Sequence, residues 1–210
     1  AQRRRARGAR PTTVRTLTGT GTAGYRVGGR RWELPARGFW QAHRGAPAAY
    51  ARQVGEWLAP WASAAVVWDL YGGAGVFAAA ALDLGAAEVH VVDTDAAALA
   101  AAAVVFAGEP VRTVRAPVSP SSLADLPAPG AVILDPPRQG AGAAVVDAVV
   151  AAGPTAIVHV GCDPAAFARD IGRVSAAGYR LTAVRGFDAF PLTHHVEAMA
   201  LLVRAETSVD

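Results

Sequence analysis

The chain has 210 residues, 52% of them apolar, with a single cysteine and a formal charge of +3. That length and apolar share predict one substantial core with an appendage and exclude a disordered polymer. One cysteine excludes an internal disulfide and a cysteine-rich metal centre. No apolar run approaches the roughly 18 residues of a membrane-spanning helix, and the start lacks the apolar stretch and cleavage site of a secretory signal. A cytoplasmic protein with no membrane attachment is expected. Because residue 1 is not Met, the chain is also expected to be a fragment or a processed form.

All 20 basic residues are Arg, and 12 of them lie within residues 1–52, where Glu33 is the only acid. That leading part carries +11 and the remainder −8, a polarity that suits a polyanion-facing arm on an otherwise ordinary core. For Arg3, Arg4, Arg5, Arg7 and Arg10 two readings stand side by side: a solvated tail and a nucleic-acid contact.

In chain order, residues 1–38 are rich in Arg, Gly and Thr, with strand-like pieces at Tyr25–Val27 and Arg31–Leu34. They read as a basic arm and the remnant of an upstream β-rich region. Helical periodicity over 47–58 (Tyr50, Val54, Trp57, Leu58) is expected to stop at Pro60. Apolar strands are then expected at 65–70, 89–92, 111–116, 131–134 and 156–160, covered on both faces. Ala-rich helices are expected at 75–84, 95–107, 141–152 and 164–177. Strands 180–187 and 196–203 follow without a helix between them, as in a hairpin that adds one antiparallel strand. This alternation predicts an α/β, doubly wound, mostly parallel sheet over residues 39–210. Ligands of such sheets sit beyond the carboxyl ends of the strands, so the residues just after each strand carry the functional signal.

The first of these segments is Asp69-Leu70-Tyr71-Gly72-Gly73-Ala74-Gly75, a glycine turn into a helix whose N-terminal N–H groups face a ligand. The next strand ends in Val91-Val92-Asp93, 18 residues beyond Gly75, where an acid accepts hydrogen bonds from ribose hydroxyls. These features alone suit NAD and S-adenosylmethionine equally, and Asp93 alone reads equally as a surface loop acid. After 131–134 comes Asp135-Pro136-Pro137-Arg138-Gln139-Gly140. Two prolines fix an extended wall on which a planar group can rest.

After 156–160 comes Gly161-Cys162-Asp163-Pro164 and a helix. The helix N-terminus is expected to lower the Cys162 thiol pKa, with Asp163 partly opposing it. Glu197 stands in the apolar stretch Val196–Val203, where a carboxylate has no packing reason to be; burial there raises its pKa and suits it to accept a proton near neutrality. His194 and His195 point to opposite sides of an extended chain and lack further ligand neighbours, so RNA contact or structural hydrogen bonding is expected of them rather than metal binding.

Together these segments, with Phe39-Trp40-Gln41, Ala168-Arg169-Asp170 and Phe187-Asp188-Ala189-Phe190-Pro191, resemble the RNA uracil-C5 methyltransferase family over residues 25–204. The resemblance implies a seven-stranded class I methyltransferase sheet and a uridine in rRNA or tRNA as substrate. It implies Gln41, Tyr71, Asp93 and Asp135, beside Gly73 of the glycine turn, as contacts to S-adenosylmethionine. It also implies Cys162 as the nucleophile and Glu197 as the base. Covalent attack at C6 turns C5 of uracil, a poor nucleophile, into an enolate carbon that accepts a methyl group. The base must leave its stack to be reached from both faces.

The chain departs from the family pattern at His43 (usually Asn), Gly161 (usually Ser), Asp163 (usually Asn), Asp93 (usually Glu) and Gly72 (often Cys). Three other readings stay open. A nicotinamide-dependent oxidoreductase leaves Cys162, the double proline and Glu197 unexplained. A non-catalytic RNA-binding protein on the same scaffold is motivated by the altered neighbours of Cys162. Methylation of an adenine amino group fits less well, because Arg138 stands where that chemistry uses an aromatic residue.

Overall fold

A computed structural model of the chain describes residues 15–193 and 195–205. The five arginines of residues 3–10 and His194 therefore lie outside the described residues. The elements are β1 (Thr22–Val27), β2 (Arg30–Pro35), α1 (Ala46–Ala62), β3 (Val66–Leu70), α2 (Val76–Asp83) and β4 (Glu88–Asp93). They continue with α3 (Ala96–Val105), β5 (Val111–Arg115), α4 (Pro120–Ala124), β6 (Ala131–Leu134) and α5 (Ala143–Ala152). β7 (Ala156–Gly161), α6 (Pro164–Ala176), β8 (Tyr179–Phe187) and β9 (Glu197–Arg204) complete the order. β1 and β2 form their own antiparallel pair, and the remaining seven strands make one sheet in the order β5-β4-β3-β6-β7-β9-β8.

Period-two alternation explains how the sheet is covered. Val67, Ile133 and Val158 face a core shared with α1, α2, α3 and the β1–β2 hairpin. Their chain neighbours Trp68, Leu134 and Ile157 face a second core closed by α4, α5 and α6. Both faces of the central strands are thereby dry, as near-continuous apolar strands require. β3 lies between β4 and β6, parallel to both. The strand order reverses there, and a crevice opens beyond the carboxyl ends. β9 runs antiparallel to both β7 and β8, so it is the one antiparallel strand of the sheet. The seven-stranded, mostly parallel sheet is the fold that the alternation predicts.

Three local expectations are corrected. Pro60 does not stop α1, which runs to Ala62; the proline forfeits one backbone bond, while Leu58 and Ala62, fully buried, hold the last turn in the core. A short helix, α4, goes unforeseen; Ser119 caps it in a reciprocal capping box, with Pro120 in the first turn. β5 is not covered on both faces, since Arg112, Thr113 and Arg115 are exposed on this edge strand.

The hairpin is stitched to the rest rather than standing apart. Val27, Trp32 and Leu34 are buried in the α1–α3 core, and the Trp32 indole N–H donates to the Ala74 carbonyl at 2.7 Å. Arg30 pairs with Glu109, donating to Oε2 at 2.7 Å, and lies 5.2 Å from the centre of the Phe106 ring.

Candidate active site

One cavity of about 580 Å³ opens at the carboxyl edge of the sheet, and Gln41, Tyr71, Gly73, Asp93, Asp135, Cys162 and Glu197 all line it. Topology explains the convergence. Tyr71, Asp135 and Cys162 directly follow the parallel strands β3, β6 and β7, and Asp93 closes β4. Glu197 opens the antiparallel β9, whose Ala198 pairs with Gly161, so the strand begins where β7 ends. Gln41 arrives on the loop before α1.

At one end of the cavity the glycine turn is tightly made. Tyr71 takes a positive φ of 61°, unusual for a residue with a Cβ, and the Tyr71 and Gly72 N–H groups both donate to the Val92 carbonyl. Gly75 enters α2 at φ 77°, where a Cβ would also meet the Phe106 ring at 2.8 Å, so glycine is required twice over. Asp93 Oδ2 accepts the Gly73 N–H at 2.9 Å, and Oδ1 accepts the Asp95 N–H at 2.8 Å. The shorter acid is thus drawn close to the turn by the backbone. Beneath it, fully buried Asp69 accepts the Ala78 N–H at 3.0 Å. Burial pushes the Asp69 carboxyl up to about 7.

The other end holds groups with few partners. Glu197 is 4% exposed; burial, then the charge of Asp135, push its carboxyl up to about 8. Burial and the charge of Asp93 raise Asp135 to about 7. The Cys162 thiol is half-buried. Its pKa is raised, not lowered as the sequence suggests: burial and the neighbouring Glu197 outweigh Arg138, which acts the other way. Asp163 is the N-cap of α6, its Oδ1 taking the Ala166 N–H at 2.8 Å, so an anion already occupies the helix terminus.

The wall between the two ends is the Asp135-Pro136-Pro137-Arg138 segment, which lines the cavity throughout. Buried Asp170 braces it from behind, accepting the Ala141 N–H at 2.7 Å and lying 3.4 Å from His159 Nε2. Arg169 donates to the Gln139 carbonyl at 2.6 Å. The Ala168-Arg169-Asp170 segment therefore shapes the wall without entering the cavity. Two of the unusual residues have local reasons. A Cβ on Gly161 would lie 2.9 Å from the Phe167 ring, and His43 Nδ1 accepts the Gly45 N–H at 3.2 Å just before α1.

Tyr50 of α1 is a cavity residue that periodicity marks only as core. It is 1% exposed, and its hydroxyl has no hydrogen-bond partner among the described residues. Among the described residues, no three His, Cys, Asp or Glu side chains cluster to hold a metal ion, and no helix is long and apolar enough to cross a membrane. The His195 ring packs edge-on against Phe190 at 6.0 Å.

Residues 122–205 match the family described as tRNA (Uracil-5-)-methyltransferase. An uncharacterized RNA methyltransferase of Corynebacterium diphtheriae is 43% identical over 209 residues, covering 91% of this chain and 48% of that protein. One from Streptomyces avermitilis is 38% identical, covering 84% and 42%. The chain spans about half the length of the curated relatives it matches. Among solved structures, the tRNA (uracil-54, C5)-methyltransferase of Pyrococcus abyssi, in complex with S-adenosyl-L-homocysteine, superposes with a TM-score of 0.72 at 25% identity. That match covers 89% of this chain and 45% of that one. The family match spans Asp135, Cys162 and Glu197, and the relatives extend it across the glycine turn: the chain belongs to the RNA uracil-C5 methyltransferase family.

Proposed function

We propose that this chain transfers a methyl group from S-adenosylmethionine to C5 of a uridine in rRNA or tRNA, with residues 39–210 as the catalytic domain and 1–38 as a basic arm and remnant of an upstream β region. The observation that carries the reading is the meeting of Cys162 and Glu197 on one cavity with the Gly73–Asp93 turn. Gln41, Tyr71, Gly73, Asp93 and Asp135 would hold the cofactor. The fit rests on the Asp93 carboxylate, which is fixed by the Gly73 N–H at the glycine turn and so stands ready for ribose hydroxyls. The bound cofactor supplies an electrophilic methyl on a sulfonium.

In this reading the Cys162 thiolate forms a bond to C6, and the C5–C6 electron pair moves toward C5 and O4. After methylation at C5, Glu197 takes the C5 proton. The C5=C6 bond reforms as the sulfur leaves, returning a thiolate to the protein. A base with a pKa near 8 matches this proton transfer. Exposed Phe39 stands at the cavity mouth. Arg26 and Arg44 line an adjoining cavity of about 470 Å³ that shares Trp40 and Gln41 with the first. Aromatic and guanidinium groups so placed suit an extruded base and its backbone phosphates.

RNA containing 5-fluorouridine tests the reading, because fluorine at C5 cannot leave as a proton. A protein–RNA adduct that survives denaturation, and is absent in Cys162→Ala, is expected. The upward shift of the thiol is the observation that favours the second reading, a non-catalytic RNA binder. RNA binding without an adduct across rRNA and tRNA substrates would establish that one instead.

A further inference from the structure

We propose that Tyr50 is a positioning residue for Glu197, its hydroxyl, unpaired among the described residues, donating to the carboxylate once that group ionises to collect the C5 proton; the proposal rests on the methyltransferase reading above. Three observations meet on this side chain. First, its hydroxyl is buried and has no hydrogen-bond partner among the described residues, a state that folds rarely keep without use. Second, its position beside Glu197 follows from the sheet. Phe187 of β8 pairs directly with Glu197 of β9, and the Tyr50 ring packs edge-on to Phe187 with centroids 5.0 Å apart. Third, the acids whose charge Tyr50 feels are Glu197, then Asp135, then Cys162, the groups of the reacting end; burial comes first in keeping its hydroxyl protonated and therefore a donor.

The titratable groups around Glu197 are thus Tyr50 from α1, Asp135 after β6 and Cys162 after β7, with Arg138 acting on the thiol. Arg185 of β8 is engaged by Gln53 of α1. Among these groups Tyr50 is a neutral donor with no other obligation. Its place in the reaction is one step only: the C5 proton moves to Glu197, the C6–S bond breaks, and the Tyr50 proton stays on its own oxygen throughout.

The test is Tyr50→Phe in the intact protein, which keeps the ring against Phe187 and removes only the hydroxyl. With fluorouridine RNA, which arrests the reaction before proton removal, the variant should form adduct at the wild-type rate. With native uridine RNA and cofactor, adduct resolution should slow by roughly 10- to 100-fold, the range of one hydrogen bond to a charged acceptor. The covalent intermediate should therefore accumulate. The melting temperature should stay level or rise, since an unpaired buried hydroxyl has been removed. Equal slowing of adduct formation and resolution, or a fall in melting temperature, would reduce Tyr50 to a structural residue. Wild-type resolution kinetics would overturn the proposal outright. A wild-type protein that traps no fluorouridine RNA sinks the methyltransferase reading itself, a result separate from either.

Discussion

The two ends of the cavity are built on opposite plans. At the Gly73–Asp93 end, the carboxylate that lines the cavity is held before any ligand arrives: both Asp93 oxygens accept backbone N–H groups, and the turn is locked to Val92. At the Cys162–Glu197 end, a thiol and two carboxyls are desolvated with raised pKa values, beside a tyrosine hydroxyl that has no partner among the described residues. The first arrangement favours tight, geometrically defined binding. The second keeps its thiol and carboxyls protonated closer to neutrality, a setting in which protons can be exchanged.

The comparison breaks first at Cys162. Cys162→Ala should abolish methyl transfer and adduct formation while leaving S-adenosylhomocysteine affinity within about 2-fold, measured by calorimetry, because the thiol belongs to the other end. Glu197→Gln comes next. Turnover should fall about 10²- to 10⁴-fold, the usual contribution of a proton acceptor, with adduct accumulating on native RNA. Wild-type turnover should rise with pH through about 8 as Glu197 loses its proton, and the surviving activity of the Gln variant should lack that limb.

Asp93→Ala attacks the satisfied end. It should weaken S-adenosylhomocysteine binding by roughly 10- to 100-fold, as expected for lost hydrogen bonds to a charged group.

Stability should also report the difference. Asp69, Asp135 and Glu197 have folded pKa values of about 7 to 8, above the roughly 4 of the unfolded chain. The unfolded state therefore binds fewer protons between pH 4 and 8, so these groups make stability fall as pH rises through that window. Thermal melts from pH 5.5 to 8.5 should show a decline, shallower in Glu197→Gln. The smallest effect concerns Trp32→Phe, which leaves the buried Ala74 carbonyl unpaired and should cost about 1–3 kcal/mol in denaturant unfolding.

The legible part of the molecule was what proline, glycine and strand punctuation mark. Asp135-Pro136-Pro137 follows β6 and Cys162-Asp163-Pro164 follows β7, each proline marking the end of an apolar run that it cannot extend as a paired strand. A doubly wound sheet brings all such ends to one edge. Glu197 was visible as a charge in an apolar strand. Tyr50 was not, because helical periodicity says that it faces inward but not that this part of α1 borders a cavity. The direction of the Cys162 shift escapes the sequence for a similar reason. The helix N-terminus can be seen in sequence, but the burial of the thiol and the nearness of Glu197 arise only when β9 pairs with β7. Pro60 and the exposed β5 show tertiary packing deciding what local propensity left ambiguous.

The bond from the Trp32 indole to the Ala74 carbonyl has a mechanical meaning. It ties the β1–β2 hairpin to the glycine turn, so that a change loosening either should loosen the other.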